Sequence, residues 1–551
     1  MIKEDYNQSG LPRLWIKMIQ APAFCLFVFF LTFYYFTNAG WYKAGDELFI
    51  HTVARQIVQE GRLGFDPKEL PDDMVAYKDI VSKGPNGQYY FKWGLGQSLV
   101  EVPFYFIHSL IWKPFPARKK TVNYTHAYLF PELMIIFLCP SVISALGCAL
   151  IFLFGVRLGF SKRVSIFLSL IYGFGTMVWP YSKSLMSETT LNVALLGGVY
   201  AVVSYVSTLR RWWLAVSGAC LGFALLTKLT TIVTIPVFVV YVLLTVRSRR
   251  AMADLLIWFV PPLLASMGVQ FWHNFIRYGS LWHFGYDQGW DSLGFYTPLY
   301  VGLWGLIASP GKSYFLYTPI SVLGLTSAWR FFRKRRPEAL MFLGVVLTVT
   351  VLYARWWSWA GDWAWGPRFL LIITPYLILS AGFFFETWVR KSRLKKILVI
   401  SLFVLSLSIQ VLGVTIHPFS FIESRTEVVD QIVERKSSSY LSMYNENAFV
   451  NFSPIFSHIV GNWWLFKHMV FSYDIWSDVP WRVLGRFKSS PPRGLEGQRT
   501  IPFWWPVVFP LISSSARPWI YSLGAANLLI LIWWGLRVKR LFNIDEKPSS
   551  S

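Results

Sequence analysis

The chain has 551 residues, of which 54% are hydrophobic and 15% are charged. A typical soluble domain has roughly 25% charged residues, so this composition excludes an ordinary soluble fold. The net charge of +23 does not indicate a nucleic-acid partner. Many of the Lys and Arg lie in short loops between apolar runs, where such residues orient a membrane protein.

Apolar runs long enough to cross a hydrocarbon core of about 30 Å, which takes roughly 20 helical residues, recur along the chain. The runs are unbroken rather than alternating, which is typical of helices and not of barrel strands. The pattern predicts an all-α polytopic membrane protein with about twelve transmembrane helices. The predicted spans are 21–40, 129–155, 164–180, 189–208, 212–227, 229–246, 252–272, 312–329, 338–354, 368–388, 396–414 and 519–536.

Short loops rich in Lys and Arg belong to the cytoplasm, and with these spans every such loop lies on one side. The arrangement requires that two further apolar segments, 94–112 and 298–310, lie in the outer interface or re-enter from it. The predicted organisation is a cytoplasmic N-terminus (1–20), a transmembrane catalytic region (21–414) whose first outer loop (41–128) carries interfacial helices, an outer segment (415–518), a last span (519–536) and a cytoplasmic tail (537–551).

The first outer loop opens with AGDELFIHTVARQIVQEG, in which apolar residues recur at helical spacing. This predicts a helix on the membrane surface, with Asp46 and Glu47 at its start. An acidic pair there can hold a hydroxyl group or a metal ion at the edge of a low-dielectric cavity. Alternatively, Asp46 caps the helix and Glu47 complements its dipole. The residues alone leave both interpretations open.

Two further charged residues lie at membrane boundaries. Lys92 stands between aromatic residues before the 94–112 segment, where it can bind a phosphate as a point charge or extend its ammonium group to the lipid headgroups. Glu188 ends the second outer loop at the mouth of the next span, where a carboxylate is costly and therefore indicates function. The alternative is that Glu188 simply pairs with Lys183 in the same short loop.

The third outer loop, FWHNFIRYGSLWHFGYDQG, places His273, Asn274 and Arg277 among aromatic residues, a mixture that suits a polyhydroxylated ligand. The alternative is an ordinary aromatic belt at the interface. Further along, GLIASPGKS resembles a phosphate-binding loop. It has five residues between its glycines instead of four and no preceding strand, so we reject a nucleotide site. Lys312 of this segment can still contact an anionic headgroup.

The last outer loop, RWWSWAGDWAWGPRF, places Arg355, Asp362 and Arg368 among five tryptophans. The planar guanidinium of Arg368, at the start of a span, suits a phosphate, and the aromatic faces can stack on a sugar. Interfacial anchoring is the alternative interpretation.

Taken in order, the DE pair, YYFKWGLGQSL, PYSKSLMSE, HNFIRYGSLWHFGY, SPGKSYFLYTP and WAWGPRFLLIITP resemble bacterial C-type glycosyltransferases (GT-C). The resemblance is to the branch that includes protein O-mannosyltransferases and the aminoarabinose transferase of lipid A. The resemblance extends over roughly residues 20–415. The segment after 415 carries no motif of this family, so the resemblance implies no role for it.

This resemblance implies a GT-C-like fold in a bacterial inner membrane, with the active site facing the periplasm. It implies inverting transfer of a sugar from a polyprenyl-phosphate carrier to a lipid, glycan or protein acceptor. On that pattern Asp46 is the general base or the carboxylate that orients the acceptor, Glu47 supports it, and Glu188 is a second acidic position. Lys92 lies near the carrier phosphate, and Arg368 is a further phosphate contact.

The sequence departs from the aminoarabinose transferase pattern at Phe49, where that group tends to carry Arg. The residues leave metal dependence open, since Asp46 and Glu47 can coordinate a divalent ion. Two other functions are compatible with the same boundary chemistry. One is a transporter or flippase of lipid-linked sugars, and the other is a ligase or polymerase that uses pyrophosphate-linked oligosaccharides.

Overall fold

The structure is a computed structural model. It describes residues 21–38, 45–66, 80–112, 135–246, 249–287, 289–361, 364–387, 393–416, 418–433, 450–471, 479–480, 503 and 517–543.

Helices make up almost all of the regular structure in these residues. The α-helices are α1 (Pro22–Phe36), α2 (Gly45–Glu60), α3 (Leu95–Trp112), α4 (Leu138–Arg157), α5 (Lys162–Phe174), α6 (Val178–Tyr181), α7 (Ser187–Thr208), α8 (Trp212–Thr227), α9 (Ile235–Thr245), α10 (Arg249–Asp254), α11 (Val260–Tyr278), α12 (Leu299–Ala308), α13 (Tyr314–Tyr317), α14 (Val322–Lys334), α15 (Arg336–Arg355), α16 (Thr374–Thr387), α17 (Arg393–Thr415), α18 (Pro418–Val433), α19 (His458–Phe471) and α20 (Arg517–Asn543).

Shorter elements connect them. The 3₁₀ segments are Leu229–Thr234, Gly289–Leu293, Pro319–Ser321 and Arg368–Ile373, and Leu255–Phe259 is a π-helical turn between α10 and α11. Strands β1 (Val81–Lys83) and β2 (Tyr89–Phe91) form an antiparallel hairpin in which Ser82 is paired with Tyr90.

Seven helical segments of the described residues are long and apolar enough to cross a membrane. They are Leu138–Arg157, Ser187–Thr208, Arg250–Tyr278, Arg336–Arg355, Arg368–Glu386, Arg393–Thr415 and Pro518–Phe542. The other five predicted spans fall on shorter helices, and the 312–329 span is divided among α13, a 3₁₀ turn and α14. The predicted fold class, an all-α polytopic membrane protein, is therefore confirmed.

The first basic turn predicted for the cytoplasm, 157–163, contacts the ends of two other helices. Ser161 caps α5, accepting a hydrogen bond from the backbone N–H of Val164 at 3.4 Å, and its own N–H donates to Glu386 at the end of α16. Nearby, Arg163 donates to the carbonyl of Phe542 in α20 at 3.0 Å. The chain reverses direction at 209–211, between α7 and α8. The start of α7 and the end of α8 therefore lie at the other end of the bundle.

The segments 94–112 and 298–310, which were predicted to lie in the interface or to re-enter from it, contain α3 and α12. Helix α3 packs along α2. Helix α12 has ten residues, which gives a length of only about 15 Å and is too short to cross the hydrocarbon core. Its glycines allow close packing on the neighbouring elements: Gly302 lies against the backbone of Ala354, and Gly305 lies against the ring of Trp359.

Candidate functional site

The start of α2 separates the two predicted acidic residues. Glu47 is completely buried, and its Oε1 accepts hydrogen bonds from the backbone N–H of Leu185, at 3.1 Å, and from the hydroxyl of Ser184. These bonds attach the first turn of α2 to the second outer loop. The side chain of Asp46 is 37% exposed and lies at the edge of the adjoining site.

Glu188 forms a buried ion pair with a lysine that the sequence interpretation did not select as a site residue. The Nζ of Lys228 lies 3.1 Å from Oε1 of Glu188. The two side chains are 18% and 3% exposed. Glu188 lies in the first turn of α7, where the helix dipole favours a negative charge. Lys228 follows the last residue of α8, so both charges lie at the same end of the bundle.

Arg368 joins this pair to Asp46. Its Nε lies 3.8 Å from Oε1 of Glu188, and its Nη1 lies 3.9 Å from Oδ2 of Asp46. The same Nη1 donates to the sulfur of Met186 at 3.3 Å. The Arg368 side chain is 12% exposed. We call Asp46, Glu188, Lys228 and Arg368 the charge cluster.

Aromatic rings support the two cations. The Nζ of Lys228 lies 4.3 Å from the ring centroid of Phe369, and the guanidinium of Arg368 lies 5.0 Å from the same centroid. Phe369 stacks on Tyr353, with 4.5 Å between the ring centroids. Such cation–π contacts stabilise a cation that has lost part of its hydration.

The charge cluster can bind a phosphate group. A guanidinium offers several N–H donors in a fixed fork, and an ammonium adds a point charge beside it. The half-buried setting strengthens these interactions relative to water. Asp46 is the more exposed of the two carboxylates in the cluster.

Lys92 lies against a different carboxylate. Its ammonium group forms a salt bridge with Oδ2 of Asp291, and Oδ1 of Asp291 accepts a hydrogen bond from Nε1 of Trp357 at 3.2 Å. Lys92 also lies 5.8 Å from the ring centroid of Trp93. The structure therefore uses Lys92 to connect the first outer loop to the third and last ones.

Arg277 supports the turn after β2. Its Nη1 donates to the carbonyls of Phe91, Lys92 and Trp93 at 3.1, 2.8 and 3.2 Å, and the whole residue is 1% exposed. Its Nη2 donates to Oδ1 of Asn274 at 2.8 Å. These bonds hold the segment that carries Lys92.

Asn274 and His273 are similarly enclosed. Asn274 is completely buried and donates to the carbonyl of Leu281 at 2.9 Å, while His273 is 4% exposed and its carbonyl accepts a hydrogen bond from Nε of Arg277. A binding role for these three residues of the third outer loop stays a prediction.

Lys312, Arg355 and Asp362 were also predicted to bind substrate. Lys312 is 3% exposed and donates to the carbonyl of Ala364 at 2.6 Å. Arg355 is exposed, and its carbonyl accepts the N–H of Thr297 at 3.1 Å. Asp362 lies outside the described residues.

Lys183 does not have the partner that its position suggested. Its Nζ donates to the carbonyl of Val414 at the end of α17, at 2.7 Å, while Glu188 is paired with Lys228. Within the described part of the chain, no three His, Cys, Asp or Glu side chains are grouped so that they could hold a metal ion.

A family model matches residues 127–269, about a quarter of the chain. Its description is dolichyl-phosphate-mannose-protein mannosyltransferase. The match confirms the predicted resemblance. The matched segment contains Glu188 and Lys228, and dolichyl phosphate mannose is a lipid-linked sugar. No curated protein matches the chain by sequence.

Among solved structures, the chain is similar to ArnT from Cupriavidus metallidurans bound to undecaprenyl phosphate, with 15% identity over 83% of this chain and 77% of that one and a TM-score of 0.44. The apo state of the same protein gives 15% identity and a TM-score of 0.44, over 82% of this chain and 77% of that one. The oligosaccharyltransferase AglB from Archaeoglobus fulgidus, in complex with an inhibitory peptide and a dolichol-phosphate, has 10% identity over 73% of this chain and 55% of that one, with a TM-score of 0.39. At these identities and TM-scores, neither protein assigns a role to a residue of this chain.

Proposed function

We propose that the chain is a glycosyltransferase that moves a sugar from a polyprenyl-phosphate carrier to an acceptor of the cell envelope. The observation that carries the proposal is the charge cluster, in which four separate segments place two cations and two carboxylates at one end of a membrane bundle. The family match over residues 127–269 supports a lipid-linked donor.

In this proposal Arg368 and Lys228 bind the carrier phosphate. As the bond between the anomeric carbon and the phosphate oxygen breaks, its electron pair leaves on the phosphate, and the negative charge there grows. Preplaced donors aimed at such a charge are worth about 2.7 to 4 kcal/mol each in comparable enzymes. The cation–π contacts with Phe369 keep both groups close to that position.

Asp46 acts as the general base in the same step. It accepts the proton of the acceptor hydroxyl while the hydroxyl oxygen forms its bond to the anomeric carbon. A carboxylate with an ordinary pKa near 3.9 is a weak base, but it need only take the proton late in the reaction. A single displacement of this kind inverts the anomeric configuration.

Glu188 has a supporting role in this proposal. Its carboxylate is buried between Lys228 and Arg368, so it orients the two cations and offsets their mutual repulsion. Glu47 anchors the first turn of α2 through Ser184 and Leu185, which places Asp46. Lys92 joins the first outer loop to Asp291 in the third outer loop.

The proposed location is a bacterial inner membrane, with the charge cluster facing the periplasm. The basic turns at the other end of the bundle then lie in the cytoplasm, as positively charged loops usually do. A lipid carrier explains why the cluster lies at the end of the membrane helices, since its phosphate is held at the headgroup level while its isoprenoid chain stays in the bilayer.

The test is release of polyprenyl phosphate by the purified protein from a panel of polyprenyl-phosphate sugars, with a membrane extract as the source of acceptor. We expect one donor to be consumed only in the presence of extract. Movement of the intact donor across a vesicle membrane, without release of polyprenyl phosphate, would instead indicate a flippase. Consumption of only pyrophosphate-linked oligosaccharides would indicate a ligase or polymerase.

A further inference from the structure

Helices α2 and α3 meet through a buried polar pair. Nδ1 of His51 lies 3.5 Å from Oε2 of Glu101, and the two side chains are 5% and 0% exposed. Gln97 donates to the other carboxyl oxygen of Glu101 at 3.3 Å. Beside the pair, the hydroxyl of Ser98 donates to the carbonyl of Ile50 at 2.9 Å. These contacts join the middle of α2 to α3.

The surroundings of this pair are otherwise apolar or weakly polar. The ring of Tyr105, on α3, lies 5.6 Å from that of His51, and the thiol of Cys139, on α4, lies 3.9 Å from the carbonyl oxygen of Val100, the residue before Glu101. Burial raises the pKa of Glu101, while the contacts with His51 and Gln97 oppose that shift. Packed apolar side chains of similar volume are often as stable as a buried ionic pair, or more stable, so stability alone does not explain this one.

A polar pair between two helices can determine their register, because any other register separates the partners and leaves each group buried alone. Asp46 comes directly before Glu47, and His51 follows Glu47 by one helical turn. A slip of α2 along α3 by one turn would move Asp46 by about 5.4 Å. The gap between Asp46 and Arg368 is 3.9 Å, so such a slip would remove Asp46 from the charge cluster.

We propose that His51 and Glu101 are positioning residues, which set the register of α2 against α3 and thereby hold Asp46 at the charge cluster. The inference rests on the proposed function, because this register affects activity only if Asp46 takes part in the reaction. Neither residue touches the substrate in this account.

The experiment compares Glu101→Gln, His51→Gln and the double variant with the wild-type protein. A matched control is Glu60→Gln, which makes the same change of carboxyl to amide at an exposed position at the end of α2. We expect each single variant to lower kcat for release of polyprenyl phosphate by about 10- to 100-fold, with little change in the donor KM, because a displacement of about 1 Å can cost that much. The double variant should be no slower than the slower single variant.

Thermal unfolding separates positioning from a general loss of structure. The raised pKa of Glu101 means that the folded state holds this proton more tightly than the unfolded state does. The contribution of Glu101 to stability therefore falls as the pH rises above its unfolded pKa. A Gln side chain does not titrate, so the variant does not lose stability in this way. At pH 8 we expect Glu101→Gln to unfold at the wild-type temperature or above, although its kcat is reduced.

A second readout does not depend on enzyme activity. The rate at which a water-soluble maleimide labels Asp46→Cys should change several-fold when Glu101→Gln is added, because the register alters the exposure of residue 46. Wild-type kcat in the Gln variants, or an unchanged labelling rate, would overturn the inference. If the wild-type protein consumes no polyprenyl-phosphate sugar, the proposed function fails, and the labelling rate still decides whether the pair sets the register.

Discussion

The ammonium group of Lys228 lies 3.1 Å from the carboxylate of Glu188, although forty positions separate the two residues in the sequence. The carboxylate thereby holds one cation directly and a second, Arg368, at 3.8 Å. Two cations that share one carboxylate in a half-buried site repel each other more strongly than they would in water. Glu188 is consequently the residue on which the geometry of the charge cluster depends.

We expect Glu188→Gln to destabilise the protein by about 3 to 5 kcal/mol, because it leaves Lys228 and Arg368 buried without their shared carboxylate. Thermal unfolding in detergent measures this change. The variant Glu188→Gln/Lys228→Met removes both charges and should recover much of the loss. Additive effects of the two single substitutions would show that the pair is not energetically coupled.

Arg368→Lys retains the positive charge but loses the planar fork that reaches toward both Asp46 and Glu188. We expect the donor KM to rise by about 10-fold, since a single ammonium group replaces two directed contacts with phosphate. Steady-state kinetics with varied donor concentration measure the change. Full retention of donor affinity would place the phosphate elsewhere.

Arg277→Lys distinguishes two roles for the third outer loop. The guanidinium donates to three consecutive carbonyls, those of Phe91, Lys92 and Trp93, and a lysine cannot reproduce that geometry. We expect a loss of stability of about 1 to 3 kcal/mol from the carbonyls left unsatisfied. Unchanged unfolding with a weakened donor affinity would assign Arg277 to substrate binding, as the sequence predicted.

Much of the fold was predictable because the information is local. Twenty-residue apolar runs and positively charged turns follow directly from the physics of the bilayer, and each predicted span overlaps a helix. Likewise, the segment Pro298–Pro310 contains only the ten-residue helix α12. Sequence spacing was sufficient for these features because each one lies within a single stretch of chain.

The pairing of charges was not predictable in the same way. The carbonyl of Val414, not Glu188, accepts the hydrogen bond of Lys183, because the second outer loop folds toward the end of α17. Lys228 reaches Glu188 only because α8 returns beside α7, which is a tertiary relationship. A lysine between two apolar helices was the available signal, since a cation at the membrane boundary usually has a functional partner.

Sidedness can be measured with introduced cysteines. The native cysteines Cys25, Cys139 and Cys148 are buried and Cys220 is partly buried, so background labelling is measured first on the protein without an introduced cysteine. Trp282 in the third outer loop is 73% exposed, and Trp212 at the start of α8 is 46% exposed. We expect a membrane-impermeant maleimide to label Trp282→Cys in intact spheroplasts and Trp212→Cys only after lysis. The opposite result would invert the proposed orientation.

Turnover of Asp46→Asn tests the account most directly. The substitution keeps the size of the side chain at the charge cluster and removes its ability to accept the acceptor proton. With the consumed polyprenyl-phosphate sugar as donor, and Glu60→Gln as the control on the same helix, we expect release of polyprenyl phosphate to fall by about 100-fold or more. Wild-type turnover by Asp46→Asn would contradict the assignment of this carboxylate and, with it, the proposed mechanism.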